Sequence, residues 1–143
     1  MGGLSGAGVV EGPVVCGCED SGVAATAGTK AVTSGDGPAA RAEAIGIKTA
    51  SVDGNDVAAV DEIARELIDE VRRGTPRFLL ARTYRLTGHT SSDPAAYRPD
   101  DEVKERWLND PIENCRQMLL TAGLTEADLS AISEAAAQEM KEA

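Results

Sequence analysis

Residues 50–84 read Ala50-Ser-Val-Asp-Gly-Asn-Asp-Val-Ala-Ala-Val-Asp-Glu-Ile-Ala-Arg-Glu-Leu-Ile-Asp-Glu-Val-Arg-Arg-Gly-Thr-Pro-Arg-Phe-Leu-Leu-Ala-Arg-Thr-Tyr84, and they decide the fold class. A short apolar stretch around Ala50 to Val52 runs into the turn Asp53-Gly54-Asn55. Asn55 or Asp56 then caps a helix whose apolar positions Val57, Val60, Ala64, Leu67, Ile68 and Val71 keep i, i+3, i+4, i+7 spacing. Arg72 and Arg73 suit the negative end of the helix dipole, and Gly74 supplies the stop. After Thr75-Pro76, the segment Arg77 to Tyr84 is an apolar-centred strand. Strand, helix, strand in that order predicts a parallel crossover, hence an α/β fold with a parallel sheet and flanking helices.

Working toward the N-terminus, Pro38 to Ile45 reads as a helix opened by proline, rich in alanine and ended at Gly46. Val14 to Cys18 reads as a second parallel strand, buried on both faces. Ten of the fifteen glycines lie in residues 1–37, and residues 1–12 are expected to form a disordered glycine-rich leader. Toward the C-terminus, residues 85–99 break all periodicity and form a long polar loop at the end of a sheet strand, where α/β folds place function. Three helices are expected beyond it, at about Asp100 to Leu108, Pro111 to Ala122 and Glu126 to Lys141. Asp110-Pro111-Ile112-Glu113 sets a cap, an N1 proline and an N3 glutamate in order. The division expected is a leader (1–12), a partial α/β domain (13–99) and a C-terminal helical appendage (100–143).

Fourteen Lys and Arg against twenty-four Asp and Glu give a net charge of −10, which repels polyanions and argues against a nucleic-acid partner. Residues 100–143 carry eleven acids and four bases, read as a solvated helical face. With only 3% aromatics the core rests on Val, Ile, Leu and Ala, and that thinness suggests apolar surface buried against another chain. No apolar run approaches the ~18 residues of a membrane span, and no secretory signal pattern opens the chain. Cys16, Cys18 and Cys115 are odd in number and lack zinc spacing, so they read as reduced thiols in a cytoplasmic compartment.

His89 is the only histidine, and it lies in the polar loop among Arg85, Thr87, Thr90, Ser91, Ser92 and Asp93. That company supplies donors and one carboxylate suited to holding an imidazole and an anion. Gly35-Asp36-Gly37 reads as a surface turn rather than a metal site, and Asp53-Gly54-Asn55-Asp56 as a helix cap rather than a calcium loop.

Several segments together carry a resemblance: Arg41-Ala-Glu-Ala-Ile-Gly-Ile47, Val52-Asp-Gly-Asn-Asp-Val57, Thr83-Tyr-Arg-Leu-Thr-Gly-His89, Ser92-Asp-Pro94 with Tyr97-Arg98, and Asp110-Pro111-Ile112. From about Pro13 onward the chain resembles the α subunit of thiamin diphosphate-dependent E1 components of 2-oxo acid dehydrogenase complexes, a family that includes pyruvate, branched-chain and acetoin enzymes. The resemblance implies a partial thiamin diphosphate-binding fold, oxidative decarboxylation of a 2-oxo acid with acyl transfer to lipoamide, and the cofactors thiamin diphosphate and Mg²⁺. It further implies an E1 β subunit as partner in an α2β2 assembly, and an E2 lipoyl acyltransferase. His89 matches the family's catalytic histidine near the diphosphate. Arg85 and His89, with Val23 and Ala24, fall at cofactor-binding positions, and Thr90 stands where mitochondrial members carry a regulatory serine. Cys18-Glu19-Asp20-Ser21-Gly22-Val23 resembles the Mg²⁺ segment, with Ser21 in place of the ligand asparagine and Val23 offering its carbonyl. The family's own Gly-Asp-Gly turn lies upstream of the resemblance, so the chain is expected to carry one wall of the site, and a partner-binding remnant without cofactor is the competing reading.

Overall fold

The computed structural model describes residues 12–24, 27–28, 34–90, 92–93 and 97–142. The strands are β1 (Val15–Asp20), β2 (Val23–Ala24), β3 (Ala27–Gly28), β4 (Lys48–Asp53) and β5 (Arg77–Arg82). The helices are α1 (Gly37–Glu43), α2 (Val57–Val71), α3 (Asp100–Trp107), α4 (Pro111–Thr121) and α5 (Glu126–Glu142). β1, β5 and β4 form a three-stranded sheet in that order, with both pairings parallel, while β2 and β3 pair as a small antiparallel ladder. The strand that comes last in the chain is therefore the central one. The α/β class and the crossover through α2 are as the sequence predicts.

The helix stops follow from backbone chemistry. Gly46 and Gly123 adopt φ of 82° and 102°, and each lets the chain fold back on its helix. Gly46 N–H donates to Glu43 O and Ile47 N–H to Ala42 O; Gly123 N–H donates to Leu120 O and Leu124 N–H to Leu119 O. These paired bonds satisfy carbonyls that the helix end would otherwise leave open. At the other ends, Asp56 accepts from Ala59 N–H at 3.0 Å and Asp110 from Ile112 N–H at 2.8 Å.

Side chains alternate across β5. Phe78 and Leu80 point into a cluster with Ala42 of α1 and Ile47, against which Cys16, Cys18 and Ala39 pack. Leu67 and Val71 of α2 are also buried but stand outside that cluster. Arg77 opens β5 as a buried cation, and its Nε donates to Glu70 of α2 while Nη1 donates to Pro76 O at 3.0 Å.

Four expectations need correction. β1 runs from Val15 to Asp20 rather than from Val14 to Cys18, and it is an edge strand with Gly17 and Glu19 exposed, so it is not buried on both faces. Pairing with β5 out to Asp20↔Arg82 extends it past its apolar run. The first helix ends at Glu43, and Ile45 in the turn is exposed while Ile47 is the most buried large side chain. β4 and β5 have different bounds from those read, Lys48–Asp53 and Arg77–Arg82, because their register matches them residue for residue. Along α2, Val57 and Ile68 are exposed although they keep helical spacing, and burial concentrates on Leu67 and Val71. Gly35 and Asp36 form an exposed bend, but Gly37 is already the first residue of α1 and is half-buried, so the expected surface turn covers only the first two. The leader falls almost entirely on residues 1–11, which lie outside the described residues.

Candidate functional site at the carboxyl ends of the sheet

Parallel strands bring Asp20, Arg82 and Asp53 side by side at the same end of the sheet, in register across β1, β5 and β4. Both aspartates fold the chain by the same device: Asp20 Oδ1 accepts from Gly22 N–H at 2.9 Å, and Asp53 Oδ1 from Asn55 N–H at 2.9 Å. Beyond these turns opens a polar cleft of about 680 Å³. It is lined by Ser21 and Val23, by Arg82 at the end of β5 and Tyr84 just beyond it, and by Glu102, Arg106 and Asn109. None of those last three is expected from the sequence, although Glu102 and Arg106, four residues apart, share one face of α3; Asn109 lies in the turn after it.

Ser21 Oγ donates to Val23 O at 3.4 Å, so these two oxygens converge. Adjacent oxygens around an octahedral Mg²⁺ stand about 2.9 Å apart, given its bond lengths. The hydroxyl, the carbonyl and the Asp20 carboxylate beside them in the sequence are hard oxygen donors of the kind Mg²⁺ takes, with water and anionic oxygens needed to complete a shell. Among the described residues no cluster of three or more His, Cys, Asp or Glu side chains could hold a metal by itself. Cys18, just before this segment, has its thiol pushed up by burial and then by Asp20 and Glu19.

The loop after β5 is built around a second set of bonds. Arg85 Nη1 lies 2.5 Å from His89 Nδ1. A guanidinium has no acceptor, so Nδ1 accepts and the neutral ring carries its proton on Nε2. His89 N–H donates to Asp93 Oδ2 at 2.7 Å, and Tyr97 OH donates to the same oxygen at 2.9 Å. That bond to Asp93 raises the Tyr97 phenol. Arg98 crosses the loop, with Nη1 donating to Arg85 O and Nη2 to Thr87 O at 2.7 Å. His89 itself is exposed.

The sites expected from sequence thus fall in two places. Ser21 and Val23 line the cleft, whereas Arg85 and His89 are joined to each other and are not among its lining residues. Ala24 lies in β2, one residue past the cleft-lining Val23. Thr90 sits at the loop surface, its Oγ1 3.2 Å from Ser92 Oγ.

The sequence profile of the family described as dehydrogenase E1 component matches residues 2–143. The chain belongs to that family. The match takes in the glycine-rich residues that the resemblance left out, where glycines give little side-chain signal. This E1 family chain is 36% identical over 133 residues to the pyruvate dehydrogenase E1 component subunit alpha of Zymomonas mobilis, covering 92% of this chain and 38% of that protein. It is 40% identical over 124 residues to the mitochondrial 2-oxoisovalerate dehydrogenase subunit alpha of Mus musculus, covering 85% and 28%. A pyruvate dehydrogenase E1 component subunit alpha of Rhizobium meliloti is 43% identical over 97 residues. The chain thus spans roughly a third of the length of the relatives it matches. Its kinship is with the 2-oxo acid dehydrogenase E1 α subunits. No helix among the described residues is long and apolar enough to cross a membrane.

Proposed function

We propose that this chain forms the α-subunit wall of a thiamin diphosphate-dependent E1 site in a cytoplasmic 2-oxo acid dehydrogenase complex. Residues 13–99 form the cofactor-facing part and residues 100–143 the helical appendage. The carrying observation is the Arg85–His89 pair, held at the exit of the central strand by Asp93 and Arg98. Thiamin diphosphate, when bound, supplies the carbanion chemistry of 2-oxo acid decarboxylation. Ser21 Oγ and the Val23 carbonyl hold Mg²⁺, and Val23 and Ala24 border the cofactor with backbone. His89 Nε2–H donates to an anionic oxygen, and Arg85 adds positive charge beside it. An E1 β subunit completes the site in an α2β2 assembly, and an E2 lipoyl acyltransferase receives the acyl group.

The second reading is a subunit-interaction domain without cofactor, favoured by Ser21, whose hydroxyl is a shorter ligand than an amide. Calorimetric titration with thiamin diphosphate and Mg²⁺, with and without an E1 β subunit, separates the two. The catalytic reading expects saturable Mg²⁺-dependent binding in the mixture, lost in His89→Ala and tightened in Ser21→Asn. A mixture that forms the heteromer but binds no cofactor sinks it and leaves the interaction reading standing.

A further inference from the structure

Tyr84, the second residue after β5, sits where the cleft meets the loop. Its ring is flanked by two guanidiniums: Arg98 of the loop lies 5.5 Å from the ring centroid, and Arg106 of α3 lies 5.2 Å from it. Arg98 also approaches the Tyr97 ring at 5.8 Å. The Tyr84 hydroxyl is buried and has no hydrogen-bond partner, so the residue is held by its ring and not by its polar tip. Arg98 in turn fixes the carbonyls of Arg85 and Thr87 on either side of the segment that leads to His89. A continuous line of contacts therefore runs from α3 through Arg106, Tyr84 and Arg98 to Arg85 and the His89 ring. Arg106 lines the cleft together with Tyr84, so one end of this line is open to whatever the cleft holds.

We propose that Arg106 is a positioning residue for His89, acting through the Tyr84 ring, so that α3 and the loop after β5 are set as one unit. Its functional meaning rests on the E1 site reading, but the positioning is a property of the chain alone. A cation over one face of a tyrosine holds the ring without any directional hydrogen bond, so lysine can serve where glutamine cannot. Glu102 lies one turn earlier on α3 and lines the same cleft but brings no cation to the ring, which makes it a control for disturbance of the helix.

The chain contains one histidine and one tryptophan, so each is an unambiguous reporter. Trp107 borders a crevice shared with Leu86, Thr87, Gly88 and Arg98, and its emission follows the packing of α3 on the loop. Ring ¹⁵N shifts of His89, recorded where the imidazole is neutral, distinguish the Nε2–H form that the Arg85 bond selects from the Nδ1–H form. The expected result is that Arg106→Gln shifts the tautomer ratio by about two- to fivefold toward Nδ1–H, the range an exposed cation–π contact supplies. Trp107 emission moves red in the same variant. Arg106→Lys and Tyr84→Phe keep the wild-type ratio, and so does Glu102→Gln. An Arg106→Gln ratio equal to wild type overturns the proposal, as does an equal change in Glu102→Gln. Because no cofactor is present in the experiment, its failure is distinguishable from failure of the titration with thiamin diphosphate, which reads the E1 assignment alone.

Discussion

A methyl group added at Gly54 would lie 2.5 Å from Thr83 Cγ2 and 3.1 Å from Arg82 O, because the turn after β4 presses directly on the end of β5. Added at Gly88, it would lie 2.2 Å from Asp93 O, so backbone meets backbone inside the loop. The same substitution should therefore have two different consequences. Gly54→Ala strains the sheet and is expected to lower unfolding free energy by about 1–3 kcal/mol. Gly88→Ala breaks the approach that lets Asp93 accept from His89 N–H, and because the backbone it meets belongs to the loop and not to the sheet, it is expected to cost less unfolding free energy than Gly54→Ala while that bond is lost. Urea melts of both variants, with the proton spectrum of His89 alongside, check the pair. An equal loss of stability in both would show that the loop is part of the core's cooperative unit. Residue type and spacing made some of this site legible: His89 stood out as the lone imidazole in a polar loop, and Asp93 as the carboxylate beside it. The roles of Tyr84 and Arg106 were not legible, since 22 positions separate two residues whose contact depends on how α3 returns to the sheet.

At the scale of elements, the bond from Arg77 to Glu70 joins the start of the central strand to the last turns of α2. The hydrogen bond from Arg77 holds the Glu70 carboxyl below its ordinary 4.5. A carboxyl depressed in the folded state contributes stability that is present above the unfolded value and is lost as pH falls through the folded one. Glu70→Gln is therefore expected to be less stable than wild type at neutral pH, with the gap closing below about pH 4.5. Urea midpoints measured from pH 7 down to pH 3 test it, and a gap independent of pH would mean that the ion pair contributes nothing through its charge. The elements themselves were largely readable. Helix stops at Gly46 and Gly123 and the cap at Asp110 are set by local backbone needs, and local needs are written in local sequence. Strand limits were read less well, because β1 continues through Glu19 and Asp20 only where β5 offers partners. The edge position of β1 depends on strand order, which no single segment encodes.

Only Ala42, Ile47, Leu67, Val71, Phe78 and Leu80 are buried apolar side chains among the described residues, while Trp107, Leu108, Ile112, Ile132 and Met140 stand open to solvent on and beside the three C-terminal helices. That core is small for the described residues it has to order, and apolar surface on this scale is the usual mark of an interface. A charge of −10 holds copies of the chain apart and keeps that surface available. The isolated chain should accordingly bind an apolar dye and melt with weak cooperativity. Adding an E1 β subunit should displace the dye and make the melting midpoint rise with partner concentration, since whatever binds only the folded state stabilises it by mass action. Dye binding that ignores the β subunit but fades as the chain alone is concentrated would assign the surface to self-association instead. A chain that binds no dye at any concentration would mean that these side chains cover one another, and the case for a partner on the C-terminal helices would fall.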